Sequence, residues 1–346
     1  MNTRTKQGTW ASEGPAAAPP VLDVRGLRLR LAHTARPVLD GVDLTVSAGE
    51  TVALVGESGS GKTLTSRSVL RLLPPGATAQ GVVEVAGEDV LTMSAKRLRA
   101  LRTGTAAMIF QDPRAAINPL RRIGDFLTES LRLTTRTSAE EAERRAGELL
   151  VAVGLPPEIM RRYPGQLSGG MLQRVMIAAA LMGNPALLLA DEATTALDVT
   201  TQAEIVALLA DLRDRFGTGL LFVTHDLGLA AAISDRVYVM YAGRIVESGP
   251  VDALFARPRH PYTAALLAAT PRLDAPRGRL NAIDGQPPDL LAELTGCPFA
   301  PRCAHASALC AERAPEDRSV TDDPAGREHR VACHHSDRLE GSAAHG

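Results

Sequence analysis

The sequence predicts an α/β fold on a largely parallel sheet, followed by a loop-rich extension that carries cysteines. Three observations lead there. Short apolar runs, ALLLA at 186–190, GLLFV at 219–223 and RVYVM at 236–240, are bounded by turn residues, with helix-like segments between some of them. Such runs suit strands buried on both faces. A glycine loop, GESGSGKT at 56–63, follows the apolar stretch TVALV, the strand-to-helix position in which such loops bind phosphate. Past about residue 255 prolines become dense, and all four cysteines fall between 297 and 333.

Composition sets the bounds. The 346 residues are 45% hydrophobic and 22% charged, ordinary for a globular chain and enough for two domains. A net charge of −1 gives no global basic field, which argues against a nucleic-acid partner. The cations are almost all arginine; only Lys6, Lys62 and Lys96 are lysines, and that singles out Lys62. The longest apolar run, VMIAAALMG at 175–183, is far short of the ~20 residues of a membrane span. The first twenty residues are rich in Ala, Pro, Gly and small polar residues and lack a signal peptide's apolar core. They read as a disordered tail on a cytosolic chain. The expected division is tail 1–20, core domain 21–255 and extension 256–346.

From residue 21 the pattern is strand-rich, in VLDVRGLRLRL and then GVDLTVSAGETVALV. Residues 112–170 break the alternation with a charged, mostly helical stretch, including SAEEAERRAGELLVAVG. At its end QLSGGMLQR, 166–174, opens a helix: Met171, Leu172, Val175, Met176, Ala179 and Ala180 recur at roughly helical spacing. Ser168 then reads as the N-cap, with Gly169 and Gly170 just inside. Backbone N–H groups at such an end suit an anion, and nothing nearby in sequence holds one alone.

The chemistry begins at the glycine loop. Gly56, Gly59 and Gly61 let the chain wrap, so that N–H groups along Gly56, Glu57, Ser58, Gly59, Ser60 and Gly61 converge on phosphates. Lys62 would reach the β- and γ-phosphates, and the Thr63 hydroxyl would hold Mg²⁺. ALLLADE supplies the acidic half at the end of another buried strand. Asp191 would bind Mg²⁺, through water, and Glu192 would orient and deprotonate an attacking water as general base.

These motifs, in this order, resemble the ATP-binding subunit of an ABC transporter. GESGSGKT is similar to its Walker A loop, LLLADE to Walker B and LSGGM to the signature; ALD at 196–198 resembles the D-loop. Gln111 in IFQDP resembles the Q-loop glutamine, and His225 in VTHD the switch histidine. The resemblance implies a P-loop NTPase fold: a RecA-like core, an antiparallel β subdomain and a helical subdomain at about 112–170. It implies two such subunits packed head to tail. Ser168, Gly169 and Gly170 of one would then bind the γ-phosphate of ATP held on the other. It further implies that His225 fixes the attacking water, that Asp198 links the two sites, and that Gln111 senses Mg²⁺ or water as a further Mg²⁺ contact. Three positions depart from the pattern: Met171 for the usual glutamine, Ala193 for the usual proline, and Leu31 or His33 where an aromatic stacks on adenine.

Past 255, HPYTAALLAATPRLD, IDGQPPDL, CPFAPRCAHASALC and VACHH resemble the C-terminal extension of dipeptide and oligopeptide importers. This branch implies a peripheral ATPase at the cytoplasmic face of the cell membrane, working as a heterodimer with a second ATPase. Two permease subunits and an extracytoplasmic binding protein would complete the importer. Related branches imply nickel or another solute as cargo, and a soluble ABC ATPase acting on nucleic acid is the reading from a different class. The cysteines are spaced C-x₅-C-x₆-C-x₂₂-C, at Cys297, Cys303, Cys310 and Cys333. Two disulfides, four free thiols and a bound metal are the alternatives, and a reducing compartment argues against the first. A loop-rich segment gains from a metal staple. Zinc prefers tighter cysteine pairs, whereas an all-thiolate set at long spacing tolerates an iron–sulfur cluster; the resemblance implies 4Fe–4S. His329, His334 and His335 are alternative ligands.

Overall fold

Alternating burial builds the central sheet. In the computed structural model every residue of β3 (Thr51–Val55), β7 (Leu187–Asp191) and β8 (Gly219–Thr224) is buried. Leu188, Ala190, Leu220 and Phe222 face one apolar core, while Leu187, Leu189, Leu221 and Val223 face another. Feeding two cores at once is why these strands read as unbroken apolar runs. The structure describes residues 19–32, 34, 36–135, 137–194, 197–270, 283–289, 294–320 and 326–337. The expected tail up to residue 18, His33, Thr195, Ala196, 271–282 and 290–293 lie outside the described residues.

Two sheets are present among the described residues. β1 (Leu22–Arg30), β2 (Leu39–Val46), β4 (Thr78–Val85) and β5 (Glu88–Asp89) form an antiparallel sheet in the order β2-β1-β4-β5. The larger sheet adds β6 (Ala106–Ile109), β9 (Arg236–Tyr241), β10 (Arg244–Pro250), β11 (Arg318–Val320) and β12 (His329–Val331). Its order is β11-β12-β10-β9-β3-β8-β7-β6, parallel from β9 to β6. The expected parallel sheet is therefore its centre. The extension is not all loop, because β12 pairs antiparallel with β10 and carries β11 beyond it.

The helices are α1 (Lys62–Val69), α2 (Ala95–Gly104), α3 (Pro113–Ala116), α4 (Ile123–Thr134), α5 (Ala139–Ala152), α6 (Gly169–Leu181), α7 (Val199–Phe216), α8 (Leu227–Ile233), α9 (Val251–Ala256), α10 (Pro261–Ala269) and α11 (Ala308–Glu312). Their starts follow capping chemistry: Ser94, Ser138 and Ser168 accept from the N–H of Arg97, Glu141 and Met171, and each such cap is worth ~1 kcal/mol. Leu127, Leu149, Leu172 and Val175 join α4, α5 and α6 into one core with β7 and β8. Among the described residues no helix is long and apolar enough to cross a membrane.

Glu247 on β10 fastens the extension. Its buried carboxylate accepts from Arg259 N at 2.6 Å and His260 N at 3.0 Å, and shares a 2.8 Å hydrogen bond with His329 Nε2 on β12. Tyr241, Tyr262 and Phe299 pack beside it, with ring centroids 4.5–5.4 Å apart.

Candidate functional site

Four parallel strands, β6, β7, β8 and β3, deliver the predicted chemistry to one end of the sheet, outside their carboxyl ends, where open α/β sheets bind ligands. After β3 the chain turns through Gly56 at φ +152°, Gly59 at +79° and Gly61 at +111° before entering α1. A Cβ on Gly56 would meet Met240 O at 2.2 Å, and one on Gly61 would meet Leu39 Cδ2 at 2.7 Å. Only glycine allows both the backbone and the contact. Lys62 is buried, and its Nζ donates to Gly56 O at 2.8 Å and Glu57 O at 2.9 Å. Burial holds its ammonium below the ordinary lysine range, against the pull of Glu192, Asp191 and Glu57.

Thr63 Oγ1 donates to Asp191 Oδ1 at 3.0 Å, so two of the three predicted Mg²⁺ ligands meet although they lie on different elements. Asp191 is buried, and that desolvation raises its carboxyl pKa despite the Thr63 hydrogen bond and Arg67, 3.9 Å away. A carboxylate pushed up and an ammonium pushed down, side by side, are what a cation with its phosphates would relieve. The residues present therefore fit MgATP.

Glu192 follows Asp191 with φ +48°, a left-handed conformation uncommon outside glycine, and its N–H donates to Val223 O at 3.0 Å. The turn brings its carboxylate between two neighbouring strand ends. Gln111 Nε2 donates to Oε2 at 2.9 Å, and His225 Nδ1 stands 3.6 Å from Oε1. Gln111, the Asp191–Glu192 pair and His225, distant from one another in sequence, converge beside the loop.

Ser168, Gly169, Gly170 and Asp198 do not join them. Ser168 Oγ accepts from Met171 N at 3.3 Å and caps α6 as the sequence predicts. Asp198 caps α7, accepting from Thr201 N at 3.0 Å and Thr201 Oγ1 at 2.7 Å, and those bonds hold its pKa below the ordinary carboxylate range. The two caps are neighbours: a Cβ on Gly170 would lie 3.0 Å from Thr201 Cγ2. They form a second patch, with no hydrogen bond to Gly56–Thr63 among the described residues. Leu31 is partly buried against the β1–β2 core, and His33 lies outside the described residues.

Two residues at this end went unread in the sequence. Glu57 N donates to Tyr262 Oη at 2.8 Å, and the Glu57 carboxylate accepts both terminal N–H groups of Arg302, at 2.7 and 3.0 Å. Tyr262 lies in HPY and Arg302 directly precedes Cys303; those neighbours were the available signal.

The four cysteines are free thiols lining one cavity of about 20 Å³, together with His334 and His335. Burial first, then the neighbouring thiols, pushes Cys333 up to about 11, and burial also raises Cys297 and Cys303. Among the described residues no group of three or more His, Cys, Asp or Glu is arranged to hold a metal ion. His329 Nε2 pairs with Glu247, His334 Nε2 with Arg313 O at 2.9 Å and His335 Nε2 with Ser307 Oγ at 2.9 Å.

The sequence matches the family model of the ABC transporter over residues 39–195, and that of the oligopeptide/dipeptide transporter C-terminal region over 246–310. It is 48% identical to a putative peptide import ATP-binding protein of Brucella melitensis, over 87% of this chain and 94% of that one. Identity to the oligopeptide transport ATP-binding protein OppD is 47% in Bacillus subtilis, covering 82% of this chain and 80% of the relative. For OppD of Salmonella typhimurium it is 44%, covering 87% and 91%. In structure the chain is similar to the dimeric post-hydrolysis state of the ATP-binding cassette MJ0796 bound to ADP and Pi, with TM-score 0.59 and 29% identity over 66% of this chain and 98% of that one.

Proposed function

The chain belongs to the ABC transporter family, and from that membership we propose that it is the ATPase that drives import of di- and oligopeptides. The observation that carries the chemistry is the Glu192 carboxylate, held between Gln111 and His225 beside the Thr63–Asp191 pair. The C-terminal match at 246–310 supports the peptide branch.

In this reading Gly56–Gly61 and Lys62 bind the phosphates of ATP, and Thr63 and Asp191, with Gln111, hold Mg²⁺, which neutralises phosphate charge when bound. Glu192 positions a water and takes its proton, while His225 holds that water and the γ-phosphate in line. The patch of Ser168, Gly169 and Gly170 completes the site of a second, homologous ATPase subunit, with Asp198 at the seam between them. Its separation from the chain's own loop supports this assignment, as does the dimeric state described for MJ0796. Closure on ATP and opening after hydrolysis give a two-state element. We assign residues 21–255 to the cassette, 112–170 to its helical part and 256–346 to the extension. Two permease subunits and an extracytoplasmic binding protein complete the importer, with this chain peripheral at the cytoplasmic face of the membrane.

The convergence of Cys297, Cys303, Cys310 and Cys333 on one cavity supports a 4Fe–4S cluster held by the four thiolates. It would staple a segment with little apolar core of its own.

The test of import is uptake of labelled di- and oligopeptides in cells deleted for the gene, with labelled nickel as the control. Uptake restored by the wild-type chain and not by Glu192→Gln is the expected result. Normal peptide uptake in the deletion, with another solute lost, overturns the peptide assignment.

A further inference from the structure

We propose that Tyr262 and Arg302, both in the extension, are positioning residues of the nucleotide site: they grip Glu57 and so fix the first turn of the phosphate loop. The proposal rests on reading Gly56–Thr63 as the ATP loop.

A loop with three left-handed glycines has much conformational freedom to lose before its N–H groups can converge. Within the loop, Lys62 and the Ser60 N–H to Glu57 O bond at 3.2 Å supply part of the restraint. Glu57 receives the rest from outside, on both its backbone and its side chain. Its N–H goes to Tyr262 Oη, so the peptide plane after Gly56 is tied at 2.8 Å to a fully buried ring. That ring is wedged against Tyr241 and Phe299.

Arg302 holds the carboxylate in a two-pronged pair, a geometry that fixes direction as well as distance. Only 4% of the Arg302 side chain is exposed. Its Nε donates to Asp284 O at 2.9 Å, and it reaches Tyr241 Oη and Ile283 O at 3.3 Å each. Flanked by the rings of Tyr241 and Phe299, the guanidinium has one orientation. A rigid donor buried against a glycine-rich loop restrains that loop, and nucleotide binding then loses less entropy.

The experiment uses the full-length chain and the fluorescent nucleotide mant-ATP with Mg²⁺, together with steady-state ATP turnover. Tyr262→Phe keeps the packing and removes the acceptor; Arg302→Lys keeps the charge and removes the fork. Each is expected to raise the mant-ATP Kd and the KM for ATP about five- to tenfold, with kcat within about twofold of wild type. Glu57→Gln should act like Arg302→Lys, and combining the two should add little to the larger single effect. A merely structural role would lower the melting temperature and kcat while leaving KM in place, and that result overturns the proposal. Variants that match a wild type able to bind mant-ATP overturn this proposal alone; a wild type that binds none overturns the ATP reading as well.

Discussion

Gln111 Nε2 and Glu192 Oε2 are joined by a 2.9 Å hydrogen bond that spans the ends of β6 and β7, while His225 stands 3.6 Å from the other carboxylate oxygen. Two side chains from neighbouring strand ends thus flank one carboxylate. Glu192→Gln keeps the shape and removes the proton acceptor. Turnover is expected to fall roughly 10²- to 10⁴-fold with nucleotide affinity retained, measured by phosphate release beside mant-ATP titration. Unchanged turnover would remove Glu192 from the role of base.

Asp191→Asn separates metal binding from folding. The carboxylate is desolvated, which raises its pKa, so at neutral pH its charge is a burden that a cation relieves. The Mg²⁺ concentration for half-maximal nucleotide binding should rise at least about tenfold, while the melting temperature in EDTA stays level or increases. A large fall in EDTA would show that Asp191 acts mainly in folding.

Legibility tracked distance along the chain. Gly56–Thr63 was readable because strand, loop and helix start are contiguous, and Ser168 because a cap is a local bond. Buried runs such as ALLLA and GLLFV marked strands because both their faces are covered. The grip on Glu57 was not readable: Tyr262 and Arg302 are 205 and 245 residues away, and their local motifs, HPY and the cysteine run, do not point to the loop. Nor were β11 and β12, three residues each and partly charged, since strands that short exist only through the edge they pair with. Ser168 and Asp198 were readable as residues, but the closeness of their two helix starts was not, because it is a fact of packing.

Acid sensitivity should involve His260. Its Nδ1 accepts from Tyr262 N at 3.0 Å, and burial pushes its pKa down to about 3. The unfolded histidine takes up a proton below about 6.5, while the folded one resists until about 3. Its contribution to stability is therefore whole above that upper value and is lost as pH falls through the interval. His260→Asn, which keeps a capping acceptor, should lose melting temperature less steeply between about pH 7.5 and 4.5. Equal slopes would clear His260 of that part.

Gly296 sets the geometry of the thiols. At φ +68°, a Cβ there would lie 2.3 Å from Cys310 O and 2.5 Å from Ala311 O, beside the 2.7 Å bond from Cys297 N to Cys310 O. Gly296→Ala should destabilise the extension by about 2 kcal/mol or more, seen as faster limited proteolysis past residue 270. Wild-type resistance would mean that the segment yields without loss.

Anaerobically isolated chain should carry iron and sulfide in equal amounts, with visible absorbance that Cys333→Ser abolishes. Zinc in their place would favour the runner-up, and a metal-free chain with four titratable thiols would leave the cavity to packing alone.

The Glu247–His329 bond has a bearing on synthesis at the ribosome. Its two ends are 82 residues apart, and β12 covers the outer edge of β10. While the chain grows, the cassette strands are made first, and β10 waits with an open hydrogen-bonding edge and a carboxylate short of one partner. An open edge is a template for wrong pairing. A message truncated ahead of codon 329 would therefore yield a product with every ATP motif intact and a pronounced tendency to aggregate, so β12 acts as the seal on the nascent sheet.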